Sequence, residues 1–205
     1  MANELVKGWL TLDKDGGSGN GTVTASANQN NTGRNSRSTT ATFKAAGCSD
    51  VPVTVNQVGK SEFVAFSNGT ASAQKTGGTV TISGTSNSSK LTFSKSNDDI
   101  GITLPSAYTA GGASTNNGAA ITGDPGASQQ YNFSIALTVP ANTGTTAKTC
   151  QIIVTDNAGH TATCTLTLAA GDATLSVSPL TIDLPWDGST TGTITVTSNT
   201  NWTVE

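Results

Sequence analysis

A chain of 205 residues with a net charge of −3 has room for one or two domains, and its 10 Lys and Arg form no run, which argues against nucleic acid and anionic membranes as partners. Only 11% of the residues are charged and 5% aromatic. Such a composition would suit disorder if the apolar residues were not so regularly alternated. No stretch approaches the ~18 apolar residues of a membrane helix. The opening "MANELVKGWL" lacks the basic and apolar segments of a signal peptide. The expectation is a protein made in a cytoplasm, and either kept there or assembled there into something that later leaves.

Taken in chain order, the predicted elements are strands. "GTVTASAN" puts Val23, Ala25 and Ala27 on one face, "TTATFKAA" puts Ala41, Phe43 and Ala45, and "VPVTVNQV" puts Val51, Val53 and Val55. Next come Val80 and Ile82, then Ile100, Ile102 and Leu104, then Phe133, Ile135, Leu137 and Val139. "CQIIV" and "CTLTL" give Cys150, Ile152 and Val154, followed by Cys164, Leu166 and Leu168. The last pairs are Leu175 with Val177, Ile182 with Leu184, and Ile194 with Val196. A period of two with one apolar side is the signature of half-buried strands, and Thr on the other side adds β-propensity. Between them lie "DGGSGNG", "NTGRNS", "SNGT", "TNNG", "GDPGAS" and "DNAGH", all turn chemistry. No segment holds a helical period, so the pattern predicts β-sandwiches.

The pattern also repeats. "NTGRNSRSTTATF…AAGCSDVPVTVNQVG" resembles "NTGTTAKTCQIIVTDNAGHTATCTLTLAAG", and "GGTVTISGTSNSSKLTF" resembles "TGTITVTSNTNWTVE". Asn31 and Asn142 are 111 positions apart, Gly59 and Gly171 are 112 apart, and Gly78 and Gly192 are 114 apart. One period is therefore about 112 residues. Residues 61–171 make one whole unit, residues 1–60 match the second half of a unit, and residues 172–205 match its first half. In this reading "TSNTNWTVE" is continued by "KGWLTLDKDGGSGNG".

Spliced in that order, the two ends resemble a BACON domain, an immunoglobulin-like module found in Bacteroidetes proteins and their phages, crAss-like phages among them. The resembling residues are "LSVSP", the Gly-rich turn before "TITVTSNTNW", "WLTL", "GGSGNGTVTASANQN" with Asn28, the Arg37 strand, and "VPVTVNQVG" with Gln57 and Gly59. The order departs from the family, because the domain is split between the termini. The middle unit departs further, with Leu91 and Phe93 where Trp is expected and Ala169 near the Gln position. The resemblance implies an all-β fold of two immunoglobulin-like β-sandwich domains, one of them discontinuous: 1–60 plus 172–205, and 61–171.

Two half-sandwiches cannot stand alone, since each would expose a sheet edge and an apolar face. They can meet within one chain, which high effective concentration favours, or by strand donation to a neighbouring copy. In either case Trp9 and Trp202 belong to a core. Trp186 stands in a turn, "DLPWDGS", and is the candidate glycan or partner contact.

The remaining side chains point to no chemistry. His160, the single histidine, sits by a turn without a nucleophile or a metal-ligand partner. "DKDGGSGNG" resembles the start of a calcium loop but has Thr24 where a bidentate Glu would stand, so it reads as a hairpin turn. Cys150 and Cys164 share an inward parity on facing strands and would bridge in an oxidising place or act as small core residues in a reducing one; Cys48 is a free turn cysteine. Arg34 and Arg37 could reach a neighbour's carboxylates, with a solvated turn as the default. Tyr108 and Tyr131 are isolated in the pattern and carry little information. The expectation is no enzyme, no catalytic or metal-ligating residue and no cofactor.

Two functions remain. The family resemblance implies a carbohydrate-binding module that adheres to glycans or mucin. Because phages of the Bacteroidetes carry BACON-like domains on capsids, tails and fibres, the resemblance also implies a virion structural protein, a capsid auxiliary (decoration) or head-fibre protein, and low charge, Thr/Gly/Asn-rich sandwiches and a split domain suit that role better. Its partners would be other capsid or fibre subunits, and it would be assembled in the host cytoplasm.

Overall fold

The computed structural model describes residues 3–205, and every regular element in it is a strand. In chain order the strands are β1 (Leu5–Lys7), β2 (Leu10–Leu12), β3 (Ala25–Ala27), β4 (Arg37–Phe43), β5 (Val51–Gln57), β6 (Val64–Phe66), β7 (Thr70–Ala73), β8 (Gly78–Ser86), β9 (Leu91–Ser96), β10 (Ala107–Ala110), β11 (Ala113–Asn116), β12 (Tyr131–Val139), β13 (Lys148–Asp156), β14 (Thr161–Leu168), β15 (Leu175–Ser178) and β16 (Thr195–Ser198).

The central residues form a β-sandwich. One sheet has the order β11-β10-β12-β8-β6 and the other β7-β14-β13-β9. All pairings are antiparallel except β7 on β14. The alternation dictates the packing: along β12, Tyr131, Phe133, Ile135, Leu137 and Val139 are buried and the residues between them face outward. They meet Cys150, Ile152, Val154, Cys164, Leu166 and Leu168 of the opposite sheet in one core. Phe133 stands edge-on to both Phe66 and Phe93, with ring centroids 5.7 and 5.8 Å apart, the geometry an aromatic quadrupole prefers.

Cys150 and Cys164 are free thiols here. The β13–β14 register sets Cys150 opposite Leu166 and Cys164 opposite Ile152, so equal parity did not make them partners. Burial, with Asp98 nearby, pushes the Cys150 thiol up to about 11, and both cysteines serve as small core residues.

Ile100, Ile102 and Leu104 do not make the expected strand. Only Thr103 bridges, to Thr138. The cause is a local clamp. Asp98 accepts the Gly101 and Ile102 amides at 2.8 and 3.2 Å and the Lys95 ammonium at 2.6 Å, folding the segment into a loop that still buries Ile100 and Ile102. Burial raises the Asp98 carboxyl, but the Lys95 ion pair and the two amides outweigh it and hold the group at about 2. A carboxyl depressed on folding adds stability above its unfolded value, which is lost as pH falls through the folded one. Asp98→Asn is therefore expected to cost about 1–2 kcal/mol at neutral pH, because Lys95 is partly solvated. The difference from the parent protein should shrink between about pH 4 and pH 2 in urea titrations. An unchanged gap at pH 2 would rule the clamp out.

The N-terminal segment is thinner. β1-β2-β3 make one antiparallel sheet and β4-β5 a hairpin, over a small core of Leu10, Leu12 and Ala41 with Trp9 and Val55 against it. The C-terminal segment is one hairpin, β15 with β16. Expected strand residues Ile182 and Leu184 lie outside regular structure.

The two ends do not meet. The N-terminal segment sits at the Ser86/Tyr131 end of the central sandwich, where Asn35 N donates to Ala127 O at 3.0 Å and Arg34 N to Gly126 O at 3.2 Å. The C-terminal hairpin sits at the Gly78/Val139 end, where Asn199 Nδ2 donates to Thr143 O at 2.8 Å. Strands β8 and β12 run between these poles, each nine residues and about 27 Å long at ~3.4 Å per residue. Within one chain the whole central sandwich thus separates head from tail.

Candidate functional site

The most elaborate polar construction is the joint between the N-terminal segment and the central sandwich. Asn87 lies at its centre, fully buried just after β8. Its amide nitrogen is shared among the carbonyls of Lys60 (3.1 Å), Ser61 (3.2 Å) and Thr32 (3.3 Å), and its Oδ1 accepts Phe63 N at 3.0 Å. One side chain thereby ties the linker 60–63 to both bodies. Arg34 closes the other side. It donates to Asn87 O at 3.0 Å, lies 3.9 Å from Glu62 Oε1, and pairs with Asp124. Ser88 Oγ donates to Glu62 at 2.9 Å, and Tyr131 Oη donates to Ser88 O at 2.9 Å. Burial pushes the Tyr131 phenol up to about 12, so it stays a neutral donor.

The same joint recurs at the other pole, 111 or 112 positions later. Asn31 Nδ2 donates to Asn35 O (2.8 Å) and Val58 O (3.2 Å); Asn142 Nδ2 donates to Thr146 O (2.8 Å) and Ala169 O (3.0 Å). Lys60 N donates to Gly33 O at 2.9 Å, and Gly171 N donates to Gly144 O at 2.8 Å. Asn87 Oδ1 accepts Phe63 N, and Asn199 Oδ1 accepts Thr174 N at 2.8 Å. Ser86 Oγ donates to Phe63 O at 2.6 Å, and Ser198 Oγ donates to Thr174 O at 2.8 Å. Gly59 and Gly171 stand at neighbouring, not equivalent, positions of the two joints, since Lys60 is the counterpart of Gly171, but a Cβ at either would collide with the backbone of the 33–34 or the 142–144 turn.

The strand ladders repeat as well. β4 pairs with β5 from Arg37↔Gln57 to Phe43↔Val51, and the same register 111 positions on is Lys148↔Leu168 and Val154↔Ala162 of β13–β14. β6 pairs Val64↔Ser86 and Phe66↔Gly84; β15–β16 pairs Leu175↔Ser198 and Val177↔Val196. This fixes Ile194 as the counterpart of Ile82, whereas sequence matching set it two residues earlier, on Val80.

The residues singled out in the sequence fall in different places. Trp9 is half-buried against Leu10 and Leu12, and the Arg37 guanidinium lies 5.1 Å from its ring centre. Arg37 also donates to Gln57 Oε1 at 2.7 Å, and neither it nor Arg34 is a solvated turn residue: both brace their own chain. Trp202, expected in a core, is 49% exposed because the hairpin beside it has no opposing sheet. Trp186 is 98% exposed on its turn. His160 Nδ1 and Asp156 Oδ2 lie 2.8 Å apart across the β13–β14 turn, where Asp156 also accepts the His160 amide. Asp13 accepts Thr24 N at 2.7 Å, as a hairpin residue does. Among the described residues, no three His, Cys, Asp or Glu side chains converge to hold a metal.

Sequence reading missed Asn87, Arg34, Glu62 and Ser88 as a set. One signal was available: an Asn recurs at 31 and 142 and again at 87 and 199, and a polar residue held in register by a repeat marks a structural contact.

Fold and joint together define an all-β protein in which a central β-sandwich is flanked by two smaller sheet segments, each held to it by a recurring hydrogen-bonded junction. Residues 4–58 match the BACON family model, described as a putative binding domain, N-terminal. That match covers the N-terminal segment and leaves the central sandwich and the C-terminal hairpin outside it. No curated protein matches the chain.

Proposed function

We propose that this chain is a non-enzymatic structural and assembly protein made of immunoglobulin-like units, one of them divided between residues 1–60 and 172–205, and that it serves on a phage virion as a capsid auxiliary or head-fibre component. The observation that carries this reading is the joint. A linker clamped by one buried Asn and repeated at both ends of the central sandwich sets successive units in a fixed relative orientation. That is the property a rod or a lattice docking part requires, and flexible tethers lack it. The virion setting rests on the resemblance to domains that phage structural proteins carry.

The test is physical association. Antibody raised against the central sandwich should label purified phage particles that carry the gene, and the chain should remain with them through a density gradient. Its absence from the particles would sink the virion setting.

One observation favours a second reading, a glycan-binding module: the near-complete exposure of Trp186, a ring on which a pyranose could stack. A glycan array probed with the parent protein and with Trp186→Ala decides it. Signal that vanishes in the variant selects glycan binding, and a blank array for both selects the structural role.

A further inference from the structure

The central sandwich is a template for what both flanking pieces lack. In it, β14 carries β7 on its outer edge, aligned Leu166↔Ala71 and Leu168↔Ala73. The counterpart of β14 is β5, whose outer edge is free, since β4 and β5 form a sheet of two. The counterpart of β7 is residues 181–184. The spacing there is secure, because the turn that follows is the same turn: Gly77 N donates to Gln74 O and Gly188 N to Pro185 O, and both glycines have positive φ. Among the described residues β5 therefore has a vacant edge, and the C-terminal tail holds an unpaired, alternating segment at the matching position.

Burial tells the same story at matched positions. Cys164 is 0% exposed and its counterpart Val53 is 43% exposed. Ala73 is 7% exposed and its counterpart Leu184 is 60% exposed. Val53 keeps the ladder position of Cys164 but has fewer opposing strands over it, and Leu184 lacks both the ladder and the sheet that cover Ala73. A cleft of about 660 Å³ opens in the N-terminal segment, lined by Leu5, Leu12, Val23, Ala41 and Phe43 among others. Volumes also complement. Gly84 leaves room for Phe133, whereas its counterpart Val196 is large, and the residue that would face it is Gly21 or Thr22, small in either alignment.

We infer that residues 173–205 of one copy complete the open sandwich of residues 3–60 of a second copy, with residues 181–184 running parallel to β5. The chain's own tail does not serve, because the poles of one chain lie about 27 Å apart on opposite sides of the central sandwich, whereas a second copy carries the same tail in the matching register. The contact is heterologous: each copy offers a tail at one pole and a vacant edge at the other, so it propagates into open chains of sandwiches instead of closing as a two-fold dimer. The recurring joint then continues from copy to copy. Trp186 takes the place of Lys75, whose carbonyl accepts Asn142 N at 2.8 Å, so Trp186 comes to lie beside Asn31 of the acceptor. Its exposure in the single chain is that of an unfilled contact. This rests on the structural reading above and gives that reading its partner.

Thr167 and Ser72 face each other on the solvent side of the β14–β7 pair, and their counterparts are Asn56 and Asp183, both exposed in the single chain. The full chain carrying Asn56→Cys and Asp183→Cys, with Cys48→Ser to remove the exposed native thiol, is oxidised over a concentration series and run on a non-reducing gel. The expected result is a reducible ladder of dimers, trimers and longer species. It should be at least tenfold more abundant than from a control pair, Asn56→Cys with Asp187→Cys, four residues out of register. Light scattering of the parent protein should show mass rising with concentration. A fast-migrating cross-linked monomer would overturn the inference in favour of the chain's own tail. Uncross-linked monomer, or equal ladders from both pairs, would overturn the register. A missing ladder from a chain that still purifies with phage particles removes complementation and leaves the structural role standing; a ladder from a chain absent from particles does the reverse.

Discussion

Replacing Asn87 by alanine is expected to destabilise the protein by about 3 kcal/mol. The side chain is fully buried and satisfies one amide and three carbonyls at the joint. Truncation leaves Phe63 N without its acceptor in a site that water cannot freely enter, and each orphaned buried group costs about 1–3 kcal/mol. The carbonyls of Thr32, Lys60 and Ser61 lose a shared donor but keep second lone pairs, so the penalties do not simply add. For a protein of this size the melting temperature should fall by roughly 6–12 °C. Trypsin should also cut sooner after Lys60, once the linker 60–63 is released from both bodies. The counterpart change, Asn199→Ala, offers an internal control. Asn199 makes matching bonds to Thr143, Asp172 and Thr174, but at an exposed position where water takes over the freed groups. Its cost in the dilute single chain should stay below about 1 kcal/mol. Calorimetry on the two variants reads both numbers, and equal costs would show that burial is not what gives the joint its strength.

The contrast between two asparagines in one motif shows what the sequence could and could not convey. Alternation at Phe133, Ile135, Leu137 and Val139 needs only the period of a strand, and the structure buries those four residues as read. The repeat was legible too, because turns constrain residue type: Asn31 and Asn142 close equivalent loops, and Gly59 and Gly171 stand where a side chain would strike backbone. Two kinds of information were not local. Ile100, Ile102 and Leu104 alternate as a strand would, but Asp98 collects the following amides and Lys95, and that capture prevails over the pattern. Ile182 and Leu184 alternate equally well and form no strand because strand structure belongs to a pair, and within one chain the edge they match is at the far pole. Arg34 was singled out, but its partners within the chain were hidden for a related reason. Nothing near it in sequence predicts Asp124 and Glu62, which reach it only through the docking of one body on another.

Phe133 and Gly84 carry the other large expected effect. Phe133 is nearly inaccessible, packs edge-on to Phe66 and Phe93, and faces Gly84 across the β8–β12 ladder. Phe133→Ala should cost about 3–5 kcal/mol, the transfer of a ring plus a cavity that a sheet with fixed registers cannot close. Gly84→Val should cost about 3 kcal/mol for the opposite reason, since a Cβ there would overlap both the Phe133 ring and the Ala65 carbonyl. The two changes together should cost less than their sum by about 1–2 kcal/mol, because the valine methyls enter the space the ring vacates while the backbone clash persists. Denaturant titration of the four proteins gives the coupling directly. The sign matters beyond the central sandwich. Val196 occupies the Gly84 position of the C-terminal hairpin, opposite Val177 as Gly84 is opposite Phe66. A negative coupling in the cycle means that a large residue at this ladder position needs a small one facing it, and the N-terminal segment presents Gly21 and Thr22 there. Additive costs would remove volume exchange as a reason for the two open pieces to fit each other.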